Sequence, residues 1–329
     1  MNCVMGVDGG ASKTVCLVAK QDGHVLGQGR AGPSNHQVCG LKEARAQISL
    51  AMQQALQEAA VPEVAVGVFC LAGADLPEDY ELLGGALSGL AGCHQAIIKN
   101  DTLAALRSGL SRPWGVVVVC GTGTNAAGRA PDGREIVLPG LGHVSGDWGG
   151  GSVISLEVIR RVMRAWDGRG EPTLLTQLAL EHLGAASEEA LLRLLYHQQV
   201  PQEKLLGLVP LLFEAANAGD AAATRLVTEV GTEVGITART LISRLGLHHS
   251  DVEVVLAGGV FKAKGSLLTD TVEEVVHQLA PRAVMVLPEV EPVVGALLLA
   301  LEASGVEVDG TIGQSIGATL PCSLRIAGR

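Results

Sequence analysis

Apolar positions in the first seventy residues come in short blocks broken by glycine and aspartate. A run at 3–7 ends at Asp8, a second occupies 15–18, and together they predict strands over about 3–8, 14–20 and 24–30. Gly9-Gly10 joins the first two, and Asp22-Gly23, a short-turn pair, joins the next two. Over 41–60 the apolar side chains Leu41, Ala44, Ile48, Ala51, Met52, Ala55, Leu56 and Ala59 recur at helical spacing, which predicts an amphipathic helix. Residues 64–71 are almost continuously apolar, as in a strand covered on both faces. Pro77 opens a helix to about 91, a short strand over 96–98 ends at Asn100-Asp101, and a further helix begins at Thr102.

The same order then restarts. An apolar strand at 116–120 is closed by Gly121-Thr122-Gly123-Thr124-Asn125, and a short strand follows with a second Asp-Gly turn at Asp132-Gly133. Leu256-Ala257-Gly258-Gly259 ends another apolar strand and precedes a helix from Phe261, as Leu71-Ala72-Gly73-Ala74 does earlier. The later copy carries extra residues, which fall in a mostly helical stretch over 151–245. The pattern predicts two α/β halves on one plan, the second with a helical insertion.

The glycine-rich strand ends are the places for chemistry. At Gly9-Gly10 the main chain can approach a ligand closely, Ser12, Lys13 and Thr14 add donors, and Asp8 is placed to hold a hydrated Mg2+. The alternative is a hairpin turn with a solvated lysine. Gly121, Thr122 and Gly123 suit phosphate oxygens in the same way, or else merely turn a buried strand. Neither turn fits G-x-x-x-x-G-K-[ST] or G-x-G-x-x-G. The reading is therefore of two opposed loops that clamp phosphates across a cleft. Asp101 either caps the helix that follows it or takes a proton from a substrate hydroxyl during phosphoryl transfer. Asp147, in the glycine-rich segment 140–151, either binds a hydroxyl or forms a turn or helix cap. Gly258 and Gly259 either accept the flat face of an adenine or pack a helix closely on a strand.

Composition narrows the partners. The chain has 329 residues, enough for two cores, with 47% hydrophobic and 18% charged residues. A formal net charge of −10 and 2% aromatic residues argue against nucleic acid and against an anionic membrane surface. No apolar run approaches the length of a membrane span. Seven cysteines without a C-x-x-C pair, and no basic or apolar leader after Met1, point to free thiols and a cytoplasmic protein.

Taken as a set, Val7-Asp8-Gly9-Gly10 with Lys13-Thr14, Asn100-Asp101, Gly121 to Asn125, Gly146-Asp147 and Leu256 to Phe261 resemble the actin–sugar kinase–heat-shock chaperone superfamily. Within it the N-acetylglucosamine kinase branch, which shares a family with ATPase activators of benzoyl-CoA reductase, is most similar, over about 4–303. The resemblance implies an α/β chain of two ribonuclease H-like (actin-like ATPase) domains with an interdomain cleft. The first would span 1–113 and be completed by a helix at about 291–303. The second would span 114–290, leaving a tail over 304–329 outside the resemblance. It further implies ATP and Mg2+ as cofactors, a small sugar as substrate and a homodimer. Asp8 would organise Mg2+, Gly9, Gly10, Ser12, Lys13, Thr14 and Gly121 to Gly123 would hold phosphates, and Gly258 and Gly259 the adenine. Asp101 would be the base, and Asn35, His36, Asn125 and Asp147 would grip the sugar. Two departures touch substrate recognition: Trp148 and three glycines follow Asp147, and Gln37 follows His36.

Overall fold

A computed structural model describes residues 3–138 and 140–326. Along the chain run β1 (Cys3–Gly9), β2 (Thr14–Lys20), β3 (Val25–Ala31), the single-turn α1 (His36–Cys39), α2 (Leu41–Ala59), β4 (Val64–Leu71), α3 (Pro77–Leu87), β5 (Cys93–Asn100) and α4 (Asp101–Gly109). Then come β6 (Gly115–Cys120), β7 (Thr124–Arg129), β8 (Glu135–Leu138), α5 (Gly151–Trp166), α6 (Leu174–Leu183), α7 (Glu188–Tyr196), α8 (Gln202–Leu206), α9 (Leu208–Asn217) and α10 (Ala221–Leu245). The chain closes with β9 (Glu253–Ala257), α11 (Leu267–His277), β10 (Val284–Val286), α12 (Pro292–Ala303) and α13 (Gly310–Thr319).

The strands form two five-stranded sheets. Their orders are β3-β2-β1-β4-β5 and β10-β9-β6-β7-β8. Read from its other end, the second is β8-β7-β6-β9-β10, so β6 to β10 repeat the plan of β1 to β5. The internal duplication read from the glycine turns is therefore real. In the first sheet β1 pairs antiparallel with β2 and parallel with β4, and β4 pairs parallel with β5. This is the α/β, ribonuclease H-like architecture.

The chain divides into two compact units, Met1–Val117 with Ala127–Val137 and Val286–Arg329, and Val118–Ala126 with Leu138–Met285. In the first unit, β1 and β2 are buried on both faces, which is why they read as continuous apolar runs. One face is covered by α2, drawn so close that a Cβ at Gly29 would lie 1.8 Å from the Ala51 carbonyl oxygen. The other is covered by α12, whose Leu297 nitrogen would meet a Cβ at Gly6 at 2.2 Å. Gly295 on α12 brings that helix equally close to Ala104 on α4. Leu297, Leu298, Leu299 and Leu301 of α12 are all buried. At about 2 kcal/mol each they contribute on the order of 8 kcal/mol, comparable with the whole net stability of an ordinary domain. The buried Arg107 of α4 is tied to α12 by Glu302, 2.7 Å away, which also binds Arg129 at 2.9 Å. Residues 304–326 are part of this unit, with Thr319 on α13 accepting from the Val25 N–H of β3 at 3.0 Å.

In the second unit, α10 is the longest helix and packs on α11 through Gly231 and Gly235, where added Cβ atoms would strike Thr271 and Val275. Three sequence boundaries shift, the first being α3, which ends at Leu87 rather than about 91. Strand β5 starts at Cys93 rather than 96, because an edge strand with an exposed face carries polar side chains that hide its apolar period. After Gly258-Gly259 only one 3-10 turn follows, and the α-helix begins at Leu267 rather than Phe261. Among the described residues no single helix is long and apolar enough to cross a membrane. The stretch of α8 and α9, Gln202–Asn217, passes such a test only together with α10, Ala221–Leu245, and the two are bent by 115° at the break.

Candidate active site

Parallel pairing aligns Gly9 with Leu71 and Leu71 with Asn100. Three strands thus end level, and the residues at their carboxyl ends, where ligands of α/β sheets bind, are Asp8, the segment 72–75 and Asp101. The turn after β1 is tight, with the Gly10 N–H donating to the Lys13 carbonyl at 2.9 Å. Gly9 is required by packing, since a Cβ there would lie 2.5 Å from Ser34 Oγ and 2.7 Å from Leu71 Cδ2. Thr14 is fully buried, and its hydroxyl lies 2.8 Å from both the Gly32 carbonyl and Ser34 Oγ. It holds the loop to the segment that carries Asn35 rather than presenting a donor outward. Ser12 is exposed, and the Lys13 ammonium rests 2.6 Å from Glu291 Oε2.

Asp101 is the first residue of α4, but Asn100 is the cap, accepting the Thr102 N–H at 2.9 Å and a hydrogen bond from the Thr102 hydroxyl. The other end of the Asn100 amide donates to the Ala74 carbonyl at 3.1 Å and to Asp75 Oδ1 at 2.9 Å. The capping role that the sequence offered for Asp101 belongs to its neighbour. Burial, then the Asp75 carboxylate, push the Asp101 carboxyl up to about 6, against the pull of the Thr102 and Asp101 N–H groups. Asp8 is pushed to about 7 by burial, then by Asp101, with Lys13 opposing and Glu291 adding to the rise. Asp75 is raised as well, by burial and by Asp79, with Asn100 and His36 opposing.

Asn35 caps α1 by accepting the Gln37 N–H at 2.9 Å. His36 packs on Gly73, whose φ of +84° and lack of a side chain make room for the ring. Its Nε2 faces Asp79 Oδ1 at 3.6 Å, and its Nδ1 is buried with no partner among the described residues. Asp79 is fixed in turn by the Asp75 and Leu76 N–H groups, at 3.2 and 2.8 Å. The first unit therefore draws Asp8, Lys13, Asn35, His36 and Asp101 to one end of its sheet. Sequence reasoning missed Asp75, Asp79 and Glu291. The signal for Asp75 was available, since it stands just past an apolar strand end, the criterion that selected Asp8 and Asp101.

In the second unit, Gly121 to Gly123 lie at the start of α5, where the Gly151 and Ser152 N–H groups donate to the Gly121 and Thr122 carbonyls at 2.8 and 2.9 Å. A Cβ added at Gly121, Gly123 or Gly259 would meet nothing within 4 Å. Internal packing does not require glycine there, whereas a main chain that must be approached by a ligand does. Gly258 differs, with a φ of +103° and the Cys120 carbonyl 2.3 Å from where a Cβ would sit, so close packing explains it. Asn125 Oδ1 accepts from the Ala126 N–H at 3.0 Å. Asp147 closes its own loop, accepting from the Gly142 N–H at 2.9 Å and Ser145 Oγ at 2.6 Å, while Gly150 is the residue that precedes α5. Trp148 lines a recess of about 460 Å³ with Gly146 and with Thr228, Glu229, Thr232 and Glu233 of α10.

Mg2+ keeps most of its waters and takes one or two carboxylates beside substrate phosphates. Asp8 fits that demand, because a carboxyl crowded by Asp101 and Glu291 gains from a nearby cation. Among the described residues no group of three or more His, Cys, Asp or Glu could cage a metal by itself.

The duplicated sheets, the glycine turns at matching strand ends and the acidic cluster at the carboxyl edge of the first sheet are those of an ATPase of the actin-like class. More narrowly, the chain belongs to the BadF/BadG/BcrA/BcrD ATPase family, whose model matches residues 5–300. It is 29% identical over 262 residues to the N-acetylmuramic acid/N-acetylglucosamine kinase of Clostridium acetobutylicum, covering 79% of this chain and 86% of that one. It is 30% identical over 312 residues to the N-acetyl-D-glucosamine kinase of Dictyostelium discoideum, covering 90% and 97%. Among solved structures, the ROK hexokinase from Thermus thermophilus shares the fold at a TM-score of 0.58 and 18% identity, over 92% of this chain and 99% of that one.

Proposed function

We propose that this protein transfers the γ-phosphoryl group of ATP to a hydroxyl of an amino sugar, N-acetylglucosamine first among the candidates. Asp101 carries the reading. A carboxyl near pKa 6, at a strand end beside Asp8, is poised to accept a hydroxyl proton near neutral pH, and with Asn100 as the cap it is free to do so. Asp8 holds the Mg2+ that accompanies ATP and neutralises phosphate charge. Lys13 and the open main chain at Gly121 to Gly123 bind phosphates, with Gly259 beside the adenine. Asn35, His36, Asn125 and Asp147 orient the sugar. Support comes from the unpartnered Nδ1 of His36, a buried polar atom that a sugar hydroxyl would satisfy. The 30% identical relative is itself an N-acetyl-D-glucosamine kinase.

An iron–sulfur activator of a partner reductase is the other activity that the resemblance implies. It requires cysteines from two subunits gathered around an iron–sulfur cluster. Here Cys3, Cys16, Cys70 and Cys120 are buried, and Cys39, Cys93 and Cys322 stand on separate elements. ATP consumption with product detection against N-acetylglucosamine, glucosamine, N-acetylmuramate and glucose tests the proposal. Turnover on none of them overturns it, and sedimentation of the same preparation tests the homodimer.

A further inference from the structure

Lys13 and Glu291 stand 278 residues apart in sequence, yet Nζ and Oε2 are 2.6 Å apart. The lysine keeps 31% of its side chain exposed and the glutamate 23%, so the ammonium is gripped on one side and open on another. Its three donors rotate on a flexible stem, and a partner that takes one of them fixes the direction of the rest. The Asp8 carboxyl also feels the Lys13 charge, so an ungripped ammonium has a second anion within its field.

The main chain that carries Glu291 is held from two sides. Glu291 precedes Pro292 at the start of α12, the helix clamped to β1 at Gly6 and to α4 at Gly295. The tail fixes it from the other side. The Glu291 N–H donates to the Leu324 carbonyl at 2.9 Å, the Ile326 N–H donates to the Glu289 carbonyl at 2.8 Å, and Val290 pairs with Arg325 as an isolated bridge. The Arg325 guanidinium donates to the Gly317 carbonyl on α13. Residues past 304, which the family resemblance leaves without a purpose, thus end on the segment that grips the phosphate-loop lysine.

We propose that Glu291, fixed by the C-terminal tail, is a positioning residue that holds the Lys13 ammonium in its phosphate-binding pose and away from Asp8. The inference rests on the kinase reading for the role of Lys13, but it is tested without sugar. Calorimetric titration of MgATP into wild type, Glu291→Ala, Glu291→Gln, Lys13→Met and the double variant Lys13→Met/Glu291→Ala decides it. Glu291→Ala raises Kd about two- to fivefold, as loss of a partly exposed ion pair should, and Glu291→Gln, which keeps an acceptor, raises it less. The double variant binds no more weakly than Lys13→Met alone, because Glu291 acts only through Lys13. Ile326→Pro, which deletes the N–H that Glu289 accepts, moves Kd in the same direction. In turnover the KM for ATP rises while the KM for sugar holds.

An unchanged or tighter Kd in Glu291→Ala overturns the proposal, since Glu291 would then be idle or a competitor for the lysine. Additive losses in the double variant overturn it too. MgATP binding that responds to Glu291 in a protein that phosphorylates no sugar leaves this inference standing and removes the kinase reading. Sugar phosphorylation with a Glu291-independent Kd does the reverse.

Discussion

Replacing Asp101 by Asn should make the protein more stable and less active at once. The Asp101 carboxyl titrates near 6 in the folded chain and near 3.8 when unfolded, so it is the ionised form that the fold tolerates poorly. The sign follows from proton binding. Below pH 3.8 both states are protonated and the residue contributes nothing. Between 3.8 and about 6 only the folded state keeps its proton, and stability falls as pH rises. Above about 6 the full penalty is present, on the order of 3 kcal/mol at 1.36 kcal/mol per tenfold in proton affinity. Asn is neutral, has the same shape and can still accept one backbone N–H, so Asp101→Asn should recover about 1–3 kcal/mol at pH 8 and almost none at pH 4. Denaturant titrations at pH 8, 6 and 4 read the difference directly. Phosphotransfer should fall by about 10²–10⁴, the usual worth of a general base, while MgATP binding persists. A variant less stable than wild type at pH 8, or a gain that does not fade with acid, would refute the assignment of burial as the cause. Surviving activity would remove Asp101 from the chemistry.

Wild-type kcat/KM should climb through pH 6 as Asp101 ionises and continue to rise towards pH 7 with Asp8; a profile flat from 5 to 8 contradicts both shifts. Gly9→Ala and Gly121→Ala should separate fold from function. The first forces a Cβ onto Ser34 and Leu71 and should cost about 1–3 kcal/mol in denaturant melts, whereas the second meets nothing and should change stability by less than about 1 kcal/mol while raising the KM for ATP at least tenfold. Arg107→Met takes the buried guanidinium away from the part-buried Glu302, which keeps Arg129, and should destabilise the protein by about 1–3 kcal/mol, read as a shifted unfolding midpoint.

Much of the architecture was readable because the central strands β1, β4, β6 and β9 are apolar runs that end at or just before glycine-bearing turns, and the repeat of that pattern exposed the duplication. Local competition was harder to read. Asn100 and Asp101 are equally good caps by composition, and only the backbone shows which one serves. Thr14 has the same chemistry as Ser12, but it opens β2, which is buried on both faces, while Ser12 stays in the exposed turn. The grip of Glu291 on Lys13 has no local signature at all, since it depends on a helix from the far end of the chain landing beside the first turn. The outer face of β5 hid its own length for the opposite reason, carrying His94 and Gln95 where a core strand would be apolar.

The return of α12 to β1 also orders events on the ribosome. Until about residue 303 has left the exit tunnel, the strand made first keeps a bare hydrocarbon flank, with Gly6 facing nothing. The second unit, made of residues 118–126 and 138–285, can close before the first one. Of the two units, the one started earlier therefore matures last, and nascent chains stalled short of α12 should be the species that chaperones hold.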